Sequence, residues 1–253
     1  LEPLHQYRVS LTGFAAAMSY AEAEKLDSMP GVKNIYPDLK YNYQLDAGPA
    51  WIGAPGIWNG PNGLRSQGEG IVVGVIDGGI NWAHPFFAEV GSDGFSHSNP
   101  FGQQLGLCSD PLVDCNNKLI GVYDFTTEGS NGRSIADHGS HVASIATGNR
   151  LTLGFSFPSG TSTFTLAGVA PHANVVSYKV CESGEGNSAG SCSGVAIVEA
   201  IEQAILDQVD VINISLGTSQ PLPELPWRLP IPLVELDARE MGIVVAVAAG
   251  NLG

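Results

Sequence analysis

The 253 residues, 43% of them hydrophobic, suffice to bury a large core and exclude a disordered chain; length alone allows one large α/β domain or two smaller ones. Eleven Lys and Arg against 25 Asp and Glu give a formal net charge of -14, a surface that would repel phosphate backbones and anionic lipid, so nucleic acid and membrane surfaces are not expected partners. The longest apolar run, Ile243 to Ala249, falls far short of the roughly 18 residues a membrane span needs.

Residues 1–44 read as a small separate unit, with strand-like Tyr7 to Leu11, a helix over AEAEKLDSM, and strand-like Val32 to Tyr36. Ser19 and Glu22 form a capping box at the head of that helix, and Pro30-Gly31 stops it. Two strands and one helix bury too little to be stable alone, so this unit needs a larger partner. It holds four basic and five acidic residues, which leaves the acidity of the chain to residues 45–253. The sequence starts at Leu1 rather than Met, and no signal peptide is in view; its start is expected to have been removed or left out.

A stretch rich in Gly, Pro and Asn runs from Leu45 to Gly70 and gives way to alternating buried strands and amphipathic helices. Strands are predicted at Ile71 to Ile76, Val175 to Val180, Val209 to Ile214 and Ile243 to Ala248, each a near-continuous apolar run without a polar alternate, the pattern of parallel strands covered on both faces. Val195 to Leu206 places Glu199, Glu202 and Gln203 on one side and Val198, Ile201 and Ile205 on the other, as a helix on a sheet should. These elements predict a doubly wound, mostly parallel α/β sheet for residues 45–253, with residues 1–44 as a small α+β segment. Ligands in such sheets sit beyond the carboxyl ends of the strands, where Asp77, Ser215-Leu216-Gly217 and Asn251 fall.

The four cysteines form two local pairs, Cys108 with Cys115 and Cys181 with Cys192, in polar loops suited to disulfides and an oxidising compartment. Four cysteines can be wired three ways, and zinc is the alternative, disfavoured by the lack of CxxC spacing and of a His near either pair. The sequon Asn213-Ile214-Ser215 lies in an apolar strand pattern with no room for a glycan.

Three stretches carry chemistry: VVGVIDGG with Asp77, DHGSHVASIATG with His138, and VVAVAAGN with Asn251. His138 opens a predicted helix with Asp137 placed to cap it; a helix amino end disfavours imidazolium and keeps the ring available as a base, while a carboxylate such as Asp77 can hold the ring and stabilise the transient cation. Asn251 follows a buried strand and Gly250, where a side-chain amide could donate to an oxyanion. His84, in NWAHPFF, and His141, one helical turn from His138, read as packing or loop residues.

The order Asp, His, Asn with these flanks resembles the subtilisin-like serine proteases. CNNKLIG at 115–121, GVAPHANVVSYKVC at 168–181, VDVINISLG at 209–217 and GIVVAVAAGN at 242–251 resemble their plant-type branch. The resemblance implies Asp77 as triad carboxylate, His138 as general base and Asn251 as oxyanion donor, with Ser215, Leu216 and Gly217 pairing with substrate backbone. LTGFAAAMS and MPGVKNIYP resemble the second half of the inhibitory propeptide, which implies that Leu39 to Leu45 runs extended through the cleft and is processed near Gln44 to Ala47. Gly78 stands where the family has Ser or Thr, Ser140 replaces Thr in HGTH, and Leu252 follows the asparagine in place of a small or polar residue.

No nucleophile elbow follows Asn251. Gly160-Thr161-Ser162-Thr163 resembles the family's GTS element but precedes the Val175 strand, and SFPSGTSTFTLAG reads as a hairpin or loop. The expected serine therefore lies beyond Gly253, and the chain alone is expected to be inactive. The implied whole is a secreted endopeptidase acting on peptide substrates, inhibited by its own propeptide, without cofactor; calcium is frequent in the family, but no ligand set is dense enough to assign. Two rivals are a non-catalytic peptide-binding pseudoprotease and a nucleotide-binding α/β enzyme; GVIDGG lacks the GxGxxG spacing of the latter.

Overall fold

In a computed structural model of the chain, which describes residues 3, 5–7, 13–35, 48–60, 65–134, 137–157, 160–183, 189–217 and 229–250, contacts divide the protein into Leu1–Tyr43 and Gln44–Gly253. In the first unit, β1 (His5–Tyr7) pairs antiparallel with β2 (Gly13–Ala15), and α1 spans Tyr20–Asp27. The capping box is in place: Ser19 Oγ accepts from the Glu22 N–H, and the Ser19 N–H donates to Glu22 Oε2 at 2.8 Å. Val32 to Ile35 form no strand, against expectation, and Tyr36 lies outside the described residues. Two apolar residues beside Pro30-Gly31 do not make a strand without a partner ladder.

The second unit opens with two short helices in the Gly- and Pro-rich stretch, α2 (Gly48–Trp51) and α3 (Ala54–Asn59). Then follow β3 (Val72–Asp77), β4 (Leu105–Gly106), β5 (Leu119–Asp124), α4 (His138–Thr147), the hairpin strands β6 (Leu151–Phe157) and β7 (Gly160–Leu166), and β8 (Asn174–Lys179). After them come β9 (Cys181–Ser183), β10 (Ala189–Cys192), α5 (Gly194–Leu206), β11 (Val211–Ile214), α6 (Pro230–Glu240) and β12 (Val244–Val247). Among the described residues one sheet has the order β12-β11-β3-β8-β5-β4, every pair parallel. This is the doubly wound α/β architecture, with β3 at its reversal point.

Alternate residues of β3 explain the two layers. Val72 and Ile76 pack with Ala196, Ala200, Ile201 and Ala204 of α5, while Val73 and Val75 pack with Ala143 of α4 and with Phe86 and Phe87. Alanines at 196, 200 and 204, all buried, let α5 lie close on the sheet. All six residues of β3 and of β8 are buried, the polar Asn174, Ser177 and Lys179 of β8 included. β12 departs from the prediction: Val244 is 62% and Val247 47% exposed, because among the described strands β12 pairs with β11 alone and α6 packs on one side of it. β5 and α6 have no counterpart among the predicted elements, whereas SFPSGTSTFTLAG is indeed part of a hairpin, with Phe155 opposite Ser162. Both cysteine pairs are disulfides, Cys108–Cys115 and Cys181–Cys192, which excludes the zinc alternative.

One buried cation ties three elements together. The Lys118 ammonium, just before β5, donates to the carbonyls of Thr147 at the end of α4 and of Pro171 and Ala173 on the approach to β8. Its three protons are thereby all used. Burial pushes its pKa down to about 7. Lys118→Met takes the ammonium away from all three carbonyls and should destabilise the protein by about 3 kcal/mol. Urea unfolding measures it, and an unchanged midpoint would contradict the assigned role.

Candidate active site

β3 delivers Asp77, its side chain 2% exposed, to the carboxyl edge of the sheet, and α4 begins beside it. His138 Nδ1 lies 2.8 Å from Asp77 Oδ1 and 3.0 Å from Oδ2 across 61 positions of sequence. An Nδ1–H facing two carboxylate oxygens is a donor, which leaves Nε2 the lone pair. The His138 side chain is 50% exposed, and among the described residues nothing bonds Nε2. A buried carboxylate thus orients an imidazole whose other nitrogen is open to accept a proton.

The backbone is shaped for this contact. A Cβ on Gly139 would collide with the carbonyl oxygen of Gly79, one on Gly79 with that of Gly132, and one on Gly132 with Val122. Gly79 and Gly132 also have φ of +92° and +79°, so both need glycine for conformation as well as space. Ile80 N–H donates to the Gly132 carbonyl and Ser134 N–H to that of Ile80, tying the stretch after Asp77 to the loop after β5. Asp124 folds that loop: it accepts from the N–H and Oγ1 of Thr126, from Ser130 Oγ and from the Gly132 N–H. Burial alone would raise the Asp124 pKa, but these donors hold it below the ordinary value.

Asp137 does not cap α4 through its side chain. Its backbone is left-handed, φ 55°, and makes no side-chain cap bond. Gly78, in place of a hydroxyl residue, still serves the carboxylate, since its N–H donates to Asp77 Oδ1 at 2.7 Å. Ser140 Oγ accepts from the Asn81 N–H at 2.8 Å.

Ser215, Leu216 and Gly217 continue β11 at the same edge of the sheet, one strand over from Asp77. Asn213 Nδ2 donates to Ser215 Oγ at 3.0 Å, and Leu216 packs on the core. Gly217 lies beside Gly250, where φ is +89°. Asn251 and Leu252 lie outside the described residues. Ser162 sits within a hairpin strand, His84 caps a short turn by accepting from the Phe86 N–H, and His141 is exposed on α4. Among the described residues no group of three or more His, Cys, Asp or Glu gathers as metal ligands would.

The chain matches the subtilase family over residues 68–253 and the peptidase inhibitor I9 family over residues 2–44. It is similar to the subtilisin-like protease SBT4.9 of Arabidopsis thaliana, 34% identical over 253 residues that make up 99% of this chain and 33% of that protein. Subtilisin-like protease SBT4.7 of the same plant is 32% identical over 251 residues, again 99% of this chain and 33% of the relative. The chain thus spans about a third of the length of these curated relatives. Among solved structures, that of the prenylagaramide maturation protease PagA aligns with a TM-score of 0.44 and 21% identity, covering 79% of this chain and 51% of that one.

The close backbone contacts distinguish Gly139 from Gly78 sharply. Gly139→Ala should destabilise the protein by about 2 kcal/mol through overpacking against Gly79, whereas Gly78→Ala, which meets nothing within 4 Å, should stay within about 0.5 kcal/mol of wild type. Thermal unfolding of the two variants checks this, and equal effects would refute the proposed packing.

Proposed function

Because this chain belongs to the subtilase family, we propose that its parent is a secreted serine endopeptidase that hydrolyses peptide bonds through an acyl-enzyme. The observation that carries the reading is the Asp77–His138 contact at 2.8 Å, with Nε2 open. In this mechanism His138 Nε2 takes the proton of a seryl hydroxyl as it attacks the scissile carbonyl. The Asp77 carboxylate holds Nδ1–H and stabilises the imidazolium, which then protonates the leaving amine. Asn251 donates to the developing oxyanion, and Ser215, Leu216 and Gly217 pair with the substrate backbone. The serine is contributed by sequence following Gly253. The chemistry calls on no cofactor, and we assign no calcium site.

Two disulfides support secretion, since such bonds persist in oxidising compartments. Among the described residues no helix is long and apolar enough to cross a membrane, and the charge of -14 argues against nucleic acid. Residues 1–44 are proposed as the carboxyl-terminal part of an inhibitory propeptide and 45–253 as the amino-terminal part of the catalytic domain, with processing between Gln44 and Ala47; the inhibitor I9 match supports this division.

In the parent protein, His138→Ala should lower kcat on a peptide substrate by at least about 1,000-fold with little change in KM. A variant that retains wild-type turnover would overturn the mechanism, as would casein hydrolysis and fluorophosphonate labelling by the 253-residue chain alone. A synthetic peptide of residues 1–44 should inhibit the mature parent with a Ki in the micromolar range or below, about 8 kcal/mol of binding. Absence of inhibition there would count against the propeptide assignment.

A further inference from the structure

The stretch after Asp77 and the first turn of α4 meet at three successive points. His138 bonds Asp77, Gly139 lies against Gly79, and Ser140 Oγ accepts from the Asn81 N–H. Asp77, Gly79 and Asn81, every second residue of the stretch that leaves β3, thus meet three consecutive residues of a helix start. The contact at Ser140 is unusual for its type: a serine in a helix normally bonds within its own turn or the turn before, whereas this one reaches 59 positions back in sequence.

Its consequence follows from what else fixes the two partners. Asp77 sits at the end of a strand that is buried throughout, and the residues after it are tied to the 130–134 loop through Ile80. The first turn of α4 has less support. Gly139 is buried against Gly79, but the turn lacks a side-chain cap, its His138 ring is half exposed, and the other buried residues of the helix, Ala143, Ser144 and Thr147, lie farther along. Residues 138 and 140 project from a helix in roughly opposite directions. Together they grip the strand end at two separated points, so the turn can neither roll about the His138 contact nor slide along it.

We propose that Ser140 is a positioning residue for the reaction, holding the first turn of α4 on the strand end at Asn81 so that the His138 ring keeps its place against Asp77. The inference rests on the reading of His138 as general base. The hydroxyl acts as an acceptor here, so any side chain with an oxygen at the same place should serve, and one without it should not. A general base displaced by a fraction of an ångström loses rate in the chemical step more than it loses substrate affinity.

The test compares Ser140→Ala and Ser140→Thr in the full-length parent, with thermal unfolding run on both to show that they fold. Ser140→Ala should lower kcat by about 10- to 100-fold with KM within about twofold of wild type, and Ser140→Thr should restore kcat to within about threefold. A second readout needs no turnover: the His138 Nδ1 proton, identified by its loss in His138→Ala, should be visible by NMR in wild type and Ser140→Thr and exchange-broadened in Ser140→Ala. Wild-type kcat in Ser140→Ala, equal damage in both variants, an effect confined to KM, or an unchanged Nδ1 signal in Ser140→Ala would each overturn the proposal. A wild-type parent that does not hydrolyse peptides would instead sink the protease reading, and the Nδ1 signal would still decide the role of Ser140.

Discussion

A carboxylate at the end of a strand and an imidazole at the start of a helix 61 residues later meet at 2.8 Å, and the backbones beside them come into direct contact. A Cβ at the contact points would prevent so close an approach. Gly79, Gly132 and Gly139 carry none at the three places where the strand end, the 130–134 loop and the helix start converge. The cost of glycine is extra freedom in the unfolded chain. The compensation is that backbone-to-backbone contacts are stiff, and stiffness is what a proton-transfer geometry requires.

The rest of the fold supplies the frame for this junction. Strands buried on both faces set Asp77 at a fixed height on the sheet edge, level with the Ser215 segment. The Lys118 ammonium binds the far end of α4 to the approach to β8, so the helix that carries His138 is anchored at its carboxyl end by charge-assisted hydrogen bonds. Asp124 does the same service for the loop that presents Gly132. The site is therefore held from three directions by groups that need not touch a substrate.

How much of this could be read from the residues varies with the physics involved. Apolar runs such as Val72 to Ile76 announce a parallel sheet because burial on both faces leaves no polar alternation, and the capping box at Ser19 and Glu22 announces itself through spacing. Asp77 and His138 stood out as residue types in suitable flanks, but their mutual distance is a tertiary fact. The errors have local causes. Asp137 resembled a cap because its residue type favours one, yet its left-handed backbone makes no side-chain cap bond. Val244 to Val247 looked fully covered since apolarity cannot distinguish a central strand from one paired on a single side. The role of Gly139 and Ser140 was hidden between two histidines, and the only available signal was that small residues crowd a helix start.

Asp77 dictates the state of the His138 ring. A free imidazole in water carries its single proton mainly on Nε2, while a carboxylate beside Nδ1 forces it to the other nitrogen. Ring nitrogen chemical shifts of His138, recorded on ¹⁵N-labelled protein at a pH where the ring is neutral, read this directly. Wild type should show a dominant Nδ1–H tautomer that reverts toward Nε2–H in Asp77→Asn. A wild-type ring already in the Nε2–H form would show that Asp77 does not set the tautomer.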